Sequence, residues 1–243
     1  MTEGQDSDST RDSKENREID RDRNQMSGEQ KGRADLPSGN VFLTGMMGCG
    51  KSTVGWHLAQ ISGLGFVDLD VWIEHRMGRG VQEIFATEGE VAFREVERKA
   101  LIYWTGARRH VISLGGGALV DGDSWEALRK SGILVWINTP VGELARRLLA
   151  EGADLAKRPL LEDLLRVEDK EKQMKQLMER LGALLSQRMD RYRAAQITVD
   201  NGYTTLDVTA RCIKQLLMEN NYFGKGEARL TKFTSRWRRW GAF

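Results

Sequence analysis

One nine-residue stretch constrains the fold of this chain more than any other feature: residues 45–53 read Gly-Met-Met-Gly-Cys-Gly-Lys-Ser-Thr and match the pattern G-x-x-x-x-G-K-[ST]. The stretch follows an apolar run at residues 41–44 and precedes a helical pattern, which is the strand–loop–helix context that the motif requires. Glycines let such a loop curl until its backbone N–H groups point at phosphate oxygens, and the following helix adds a partial positive charge. The sequence therefore predicts a phosphate-binding loop, in which Lys51 reaches the β- and γ-phosphates of a nucleotide and Ser52 binds Mg²⁺. The predicted nucleotide-binding residues of the loop are Gly48, Cys49, Gly50, Lys51, Ser52 and Thr53.

Short apolar runs alternate with helical stretches from residue 40 onwards. The runs lie at residues 41–44, 65–68, 110–114, 133–137 and 196–199. Near-continuous apolar runs of this length suit parallel strands that are covered on both faces. Helices are predicted near residues 51–62, 89–105, 122–131, 141–150, 174–192 and 204–219. This alternation predicts an α/β fold with three α/β/α layers and a five-stranded parallel sheet.

The two ends of the chain differ from this central part, which we place at residues 40–221. Residues 1–39 contain ten acidic and seven basic residues and no aromatic residue, so we expect a disordered extension. Residues 222–243 interleave six basic residues with aromatic ones. This C-terminal extension either docks on its own domain or contacts a partner or an anionic surface.

Composition excludes several classes of function. The 37 basic residues nearly balance the 35 acidic ones, whereas a general nucleic-acid binder would need a clustered basic excess. No apolar run approaches the roughly 20 residues that a membrane-spanning helix needs, and the first residues do not resemble a signal peptide. The two cysteines are far apart, which suits a reducing compartment. We expect a monomeric cytoplasmic protein that binds neither nucleic acid nor membrane.

Two carboxylates follow the second predicted strand. Asp68 and Asp70 are separated by one residue, so an extended chain would place both on one face, at the sheet edge where ligands bind. One could hold the water shell of a metal ion while the other accepts a hydroxyl proton from an acceptor. A helix N-cap explains one of them equally well.

Other charged residues and glycines stand at places where a ligand could reach them. Arg94 and Glu97 are three residues apart on a predicted helix, which also fits an ion pair on a solvated face. Gly115, Gly116 and Gly117 end the third strand and would let a ligand approach the backbone closely. Arg158 follows a charged loop and could close over the transferring phosphates as part of a lid.

Taken in order, these motifs resemble the shikimate kinase family over about residues 40–219. The stretches that carry the resemblance are Gly45–Ser52, Asp68-Leu69-Asp70, Ile73-Glu74, Glu83-Ile84-Phe85, Gly89-Glu90, Phe93-Arg94 with Glu97, Gly115–Gly117, Arg158-Pro159-Leu160-Leu161, and Arg188 with Tyr192. The resemblance implies that the three-layer α/β/α domain is a P-loop kinase fold, with the strand order 2-3-1-4-5. It also implies transfer of the γ-phosphoryl group of ATP, with Mg²⁺, to shikimate in the pathway to the aromatic amino acids.

The resemblance also implies roles for single residues. Asp70 would hold the ring hydroxyls and act as base, with Asp68 on the Mg²⁺ side. Arg94 and Arg188 would clamp the substrate carboxylate, with Arg191 as a competing candidate for the second position. The remaining roles are Gly115–Gly117 lining the ring, Glu97 orienting Arg94, Arg158 reaching the phosphates from the lid, Arg147 stacking on adenine, and residues 199–201 forming the adenine-side loop.

Two other functions stay open at this point. The chain could be a P-loop kinase of another small hydroxylated acceptor, such as gluconate or a nucleoside monophosphate. It could also be a non-catalytic kinase-like binding protein that works through its C-terminal extension. The paired arginines favour an acceptor that carries a carboxylate, and retention of Lys51, Asp70 and Arg158 argues against loss of turnover.

Overall fold

A central sheet of parallel strands organises the protein. The computed structural model describes residues 39–115, 122–150, 161–202, 204–219 and 233–234. Its strands are β1 (Asn40–Thr44), β2 (Gly65–Asp68), β3 (His110–Ser113), β4 (Gly132–Asn138), β5 (Ile197–Asp200) and the two-residue β6 (Phe233–Thr234). They follow the spatial order β2-β3-β1-β4-β5-β6, and every pair is parallel. The predicted α/β fold and the order of the first five strands are confirmed, and β6 extends the sheet beyond the prediction.

Helices connect these strands. They are α1 (Lys51–Ser62), α2 (Leu69–Met77), α3 (Val81–Thr105), α4 (Gly122–Ser131), α5 (Val141–Ala150), α6 (Lys170–Arg193) and α7 (Leu206–Glu219), with a short 3₁₀ helix at Glu162–Arg166. Helix α1 packs against α7, and α5 packs against α6. Among the residues that the structure describes, every helix is too short or too polar to cross a lipid bilayer.

The core lies on both faces of the sheet. All five residues of β1 are buried, and so are the five central residues of β4. Central strands buried on two faces explain why these runs are continuously apolar and do not alternate. Asn40, the polar exception at the start of β1, is fully buried, but its side-chain amide donates to the carbonyls of Trp104 and Ala107 and accepts from the N–H of His110. Those bonds satisfy the amide and tie the end of α3 to the amino end of the sheet.

The helical pattern missed α2 and the first segment of α3. It predicted a helix from about residue 89, which matches the second segment, whereas α3 begins at Val81 and is interrupted at Gly89, which has φ 83° and ψ 173°. Two helical segments therefore meet at Gly89. The first segment is held by tertiary contacts: the Phe85 ring packs 4.7 Å from the Phe93 ring, and Glu74 accepts a 2.9 Å bond from the Val81 N–H.

The parallel sheet brings the functional motifs to one edge. The phosphate-binding loop follows β1, Asp68 ends β2, Gly115 lies just beyond β3, and Asn201 follows β5. Since all strands point the same way, these positions share the carboxyl edge of the sheet, where ligands bind in open α/β folds.

Candidate active site

The phosphate-binding loop has the backbone that its glycines predicted. Gly48 and Gly50 have φ angles of 77° and 85°, in the left-handed region that favours glycine. A Cβ on Gly50 would also lie 2.6 Å from Leu206 Cδ2, so no larger residue fits without a shift. Gly50 caps the N-terminus of α1, which leaves the first N–H groups of the helix available to an anion.

Lys51 folds back over the loop. Its Nζ donates to the carbonyl of Gly45 at 2.9 Å and to that of Met46 at 3.2 Å. The cation is therefore held above the centre of the loop, where phosphate oxygens would replace these carbonyls as its partners.

A buried asparagine ties the loop after β5 to the phosphate-binding loop. Asn201 is fully buried, donates from its side chain to the carbonyl of Cys49 at 2.8 Å, and accepts from Thr209 at 2.9 Å. Arg147 donates to the carbonyl of Asn201 at 3.0 Å and to Glu143 at 2.7 Å. Arg147 and the predicted adenine-side loop are therefore brought together beside the nucleotide motif.

Asp68 is the N-cap of α2, one of the possibilities that the sequence left open, and it also contacts Ser52. Its Oδ1 caps α2 by accepting from the N–H groups of Asp70 at 3.1 Å and Val71 at 3.4 Å. Its Oδ2 accepts a 2.5 Å hydrogen bond from the Ser52 hydroxyl. Ser52 and Asp68 thus present oxygen atoms side by side at the mouth of the loop.

Asp70 lies in the first turn of α2, so the extended chain that the sequence predicted across Asp68 and Asp70 is wrong. Burial raises the pKa of this carboxyl to about 6, and the adjacent Asp68 adds to the rise, while Lys51 and Arg94 oppose it. Asp70 is therefore close to both the phosphate-binding lysine and the predicted carboxylate-binding arginine. A carboxylate with a pKa near neutrality is suited to accept a proton in catalysis.

Arg94 and Glu97 form a buried pair. Arg94 Nη1 donates to Glu97 Oε2 at 2.7 Å, and only 1% of the Glu97 side chain is exposed. Burial raises the pKa of Glu97 to about 7; the nearby Asp70 adds to the rise, and Arg94 and Arg188 oppose it. This burial excludes the solvated surface pair that the sequence left open.

The rings of Phe85 and Phe93 lie 5.8 Å and 5.5 Å from the Arg94 guanidinium carbon and fix its plane.

Gly115 lies against both acidic side chains. A Cβ at this position would collide with Glu97 Oε1 and would lie 2.7 Å from Asp70 Oδ1. A larger residue here would therefore displace both carboxyl groups, and the backbone after β3 is in close contact with each of them. Within the described part of the chain, Glu97 Oε1 is buried and accepts no hydrogen bond.

Arg188 approaches this cluster from α6. It lies close enough to Glu97 to lower the pKa of that carboxyl, and it interacts with the hydroxyl of Tyr192. Tyr192 is buried, stacks on Trp136 at 5.6 Å and contacts Met46 Sδ at 3.6 Å, so it connects α6 to the phosphate-binding loop. Arg191 is exposed. The arrangement favours Arg188 over Arg191 as the second carboxylate ligand.

Three predicted site residues lie outside the described part of the chain, as do residues 1–38. The three are Gly116, Gly117 and Arg158. Sequence reasoning missed the contact of Glu90 with Arg94 and the influence of Glu74 on Asp70. The spacing of Glu90 and Arg94, four residues apart beside a glycine, could have indicated the first of these.

Comparison with known proteins assigns this geometry to a family. The shikimate kinase family model matches residues 47–217. A shikimate kinase of Chlorobium chlorochromatii (strain CaD3) is 41% identical over 161 residues, which cover 66% of this chain and 80% of that protein. A shikimate kinase of Synechococcus elongatus (strain ATCC 33912 / PCC 7942 / FACHB-805) is 38% identical over 160 residues, covering 66% of this chain and 76% of that protein. Among solved structures, shikimate kinase from Acinetobacter baumannii in complex with shikimate is similar with a TM-score of 0.65 and 35% identity, over 76% of this chain and 95% of that one.

Proposed function

We propose that this chain, which belongs to the shikimate kinase family, transfers the γ-phosphoryl group of ATP to a hydroxyl group of shikimate to give 3-phosphoshikimate. The observation that carries the proposal is the convergence of Lys51 and the Arg94–Glu97 pair on Asp70, at one edge of the sheet. This arrangement supports a phosphate end, a proton acceptor and an anion clamp in one cleft.

The phosphate end is formed by the loop at residues 45–53. Its free N–H groups and Lys51 would neutralise the β- and γ-phosphates and hold the γ-phosphorus towards the acceptor. The loop after β5 and Arg147 would form the wall next to the nucleotide base, since Asn201 is bonded to Cys49. Arg158 remains a prediction for the lid.

The acceptor end of the cleft carries arginines that would bind an anion. Arg94, and by our proposal Arg188, would bind the shikimate carboxylate with charge-assisted hydrogen bonds. Glu97 would hold the Arg94 guanidinium in place, and the Gly115 backbone would lie against the ring. The glycines that follow would extend this surface.

Asp70 would act as the base. Its carboxylate would accept the proton of the attacking hydroxyl while the hydroxyl oxygen bonds to the γ-phosphorus. The bond between that phosphorus and the β,γ-bridging oxygen breaks, and ADP leaves with that oxygen. A pKa of about 6 leaves Asp70 ionised at pH 7 yet basic enough to take the proton.

Ser52 and Asp68 are suited to Mg²⁺. Both present oxygen atoms, both stand at the mouth of the phosphate loop, and the hydrogen bond between them shows that they reach the same point. Magnesium in such sites takes one or two protein oxygens and completes its shell with phosphate oxygens and water. Bound there, it would neutralise charge on the β- and γ-phosphates.

We propose that residues 40–221 form the kinase domain and that the two ends of the chain are extensions to it. The monomeric state and the cytoplasmic location stay predictions from the sequence. The two cysteines, Cys49 and Cys212, are both free thiols.

An assay of ADP release tests the function directly. We expect ATP turnover with shikimate and no comparable turnover with gluconate, with CMP or without an acceptor. Lys51→Ala should fold normally and retain less than about a tenth of the wild-type rate, because such contacts supply several kcal/mol to transition-state charge. Turnover with gluconate or CMP and not with shikimate would identify another small-molecule kinase. No turnover with any acceptor would favour a non-catalytic protein.

A further inference from the structure

Arg94 is shared between two glutamates that differ sharply in burial. Its Nη1 donates to Glu97, whereas its Nε and Nη2 both donate to Glu90 Oε1, at 3.3 Å and 3.1 Å. The Glu97 side chain is 1% exposed and the Glu90 side chain is 59% exposed. One partner of the guanidinium is therefore fixed in the core, and the other stands at the surface.

Glu90 occupies an edge that a ligand carboxylate would use. A guanidinium offers two edges at which a carboxylate can accept two parallel N–H bonds, and the Nε–Nη2 edge is one of them. Glu97 already engages Nη1 of the other edge. A ligand carboxylate that docks on Arg94 must therefore compete with a glutamate, and the exposed Glu90 is much easier to displace than the buried Glu97.

The break in α3 gives the Glu90 carboxylate a favourable position when it is not bonded to Arg94. Gly89 leaves helical geometry just before Glu90, so Glu90 begins a new helical segment. A carboxylate in the first turn of a helix is stabilised by the partial positive charge of the helix N-terminus. A Cβ on Gly89 would have no neighbour within 4 Å, so the backbone around this break is not packed tightly.

We propose that Glu90 is an internal stand-in for the substrate carboxylate, which occupies Arg94 in the free enzyme and is displaced when the anionic acceptor binds. The proposal rests on the proposed function of the same site. Glu90 keeps the Arg94 guanidinium aligned and excludes weakly binding anions from it. The same contact lowers the affinity of the site for the acceptor. It is a positioning residue, since it acts only through Arg94. A glutamate that merely supports the helix surface would have no effect on acceptor binding.

The test compares Glu90→Gln with the matched control Glu95→Gln. Both changes remove one negative charge from α3, but the Glu95 carboxylate pairs with Arg98 and Lys99, whereas that of Glu90 pairs with Arg94. We expect Glu90→Gln to tighten the dissociation constant for shikimate about two- to fivefold, as displacement of an exposed ion pair allows. The gain should appear in KM for shikimate and not in kcat or in KM for ATP, and Glu95→Gln should show none of it.

A neutral ligand separates competition from general effects. The carboxamide of shikimate has no charge to compete with Glu90, so its dissociation constant, measured by calorimetry, should be the same in wild type and Glu90→Gln. The inference is wrong if Glu90→Gln binds shikimate equally or more weakly, if both variants gain alike, or if the carboxamide gains as much as shikimate. Failure of the wild type to bind or phosphorylate shikimate would instead refute the proposed function, and the inference with it.

Discussion

Replacing Glu97 by glutamine should stabilise the substrate-free protein above neutral pH while weakening its binding of shikimate. Burial raises the pKa of Glu97 from 4.5 to about 7, so the folded protein holds this proton more tightly than the unfolded chain does. The stability that this group contributes is complete below pH 4.5 and is lost as the pH rises through 7. With about 1.4 kcal/mol per pKa unit, its ionisation costs up to about 3 kcal/mol of unfolding free energy at pH 8. Glutamine cannot ionise and avoids that cost, while its carbonyl oxygen can still accept from Arg94.

Urea unfolding of wild type and Glu97→Gln between pH 4.5 and 8.5 measures this effect. The two proteins should have similar unfolding free energies at the acidic end, and the variant should become more stable by up to about 3 kcal/mol at the alkaline end. Glu95→Gln, on the exposed side of α3, should show no such gain. KM for shikimate should rise in Glu97→Gln, because Arg94 loses the charge that orients it. A variant that is less stable than wild type at pH 8 would show that the bond to Arg94 outweighs the cost of burying the charge. A difference independent of pH would show that folding does not raise the pKa of Glu97.

Two further predictions concern Asp70 and the second carboxylate ligand. Asp70 has a raised pKa of about 6 and is protonated below that pH. The pH profile of kcat/KM for shikimate should therefore have an acid limb, a fall in activity below about pH 6. Glu74→Gln should move this limb to lower pH, since Glu74 raises the pKa of Asp70; a limb that stays in place or moves up would contradict this assignment. Arg188→Ala should raise KM for shikimate at least tenfold with little change in KM for ATP, as expected from the loss of a charge-assisted bond of roughly 1.5–3 kcal/mol. Arg191→Ala should be mild in the same steady-state assay, and the reverse result would assign the second ligand to Arg191.

The sequence was sufficient for the first five strands and for the phosphate-binding loop because both depend on local patterns, whereas β6 was not predicted and the strand order came from the family resemblance. Strand β1 is buried at every position and its three central residues are apolar, and the glycines at 48 and 50 stand where the loop requires left-handed backbone. Order along the chain and parallel direction then determine that the motifs share one edge. The positions of Asp68, Asp70 and Gly115 in one cleft follow from this topology.

Burial of charge could not be predicted from spacing alone. Arg94 and Glu97 lie three residues apart on a helix, and that spacing is the same for a solvated pair and for a buried one. The difference comes from the end of β3, which brings Gly115 against Glu97 from a distant part of the chain. The start of α3 was missed for a similar reason, because Phe85 and Val81 are held by contacts to Phe93 and Glu74 and not by their own helical pattern.

Burying the Glu97 carboxylate costs stability, but the same carboxylate holds Arg94 in a fixed orientation. Asp70 and Glu97 both lie against Gly115, and burial raises the pKa of each, so ionisation of either carboxyl is costly in this pocket. An arginine beside two such carboxylates is held firmly, because moving it would leave Glu97 buried without its cation. The same negative charge opposes the binding of any anion, so an acceptor carboxylate must make well-directed bonds to Arg94 to bind at all. The buried Glu97 thus lowers the stability of the fold. Because it also fixes the orientation of Arg94, acceptor binding depends on the direction of the hydrogen bonds as well as on charge.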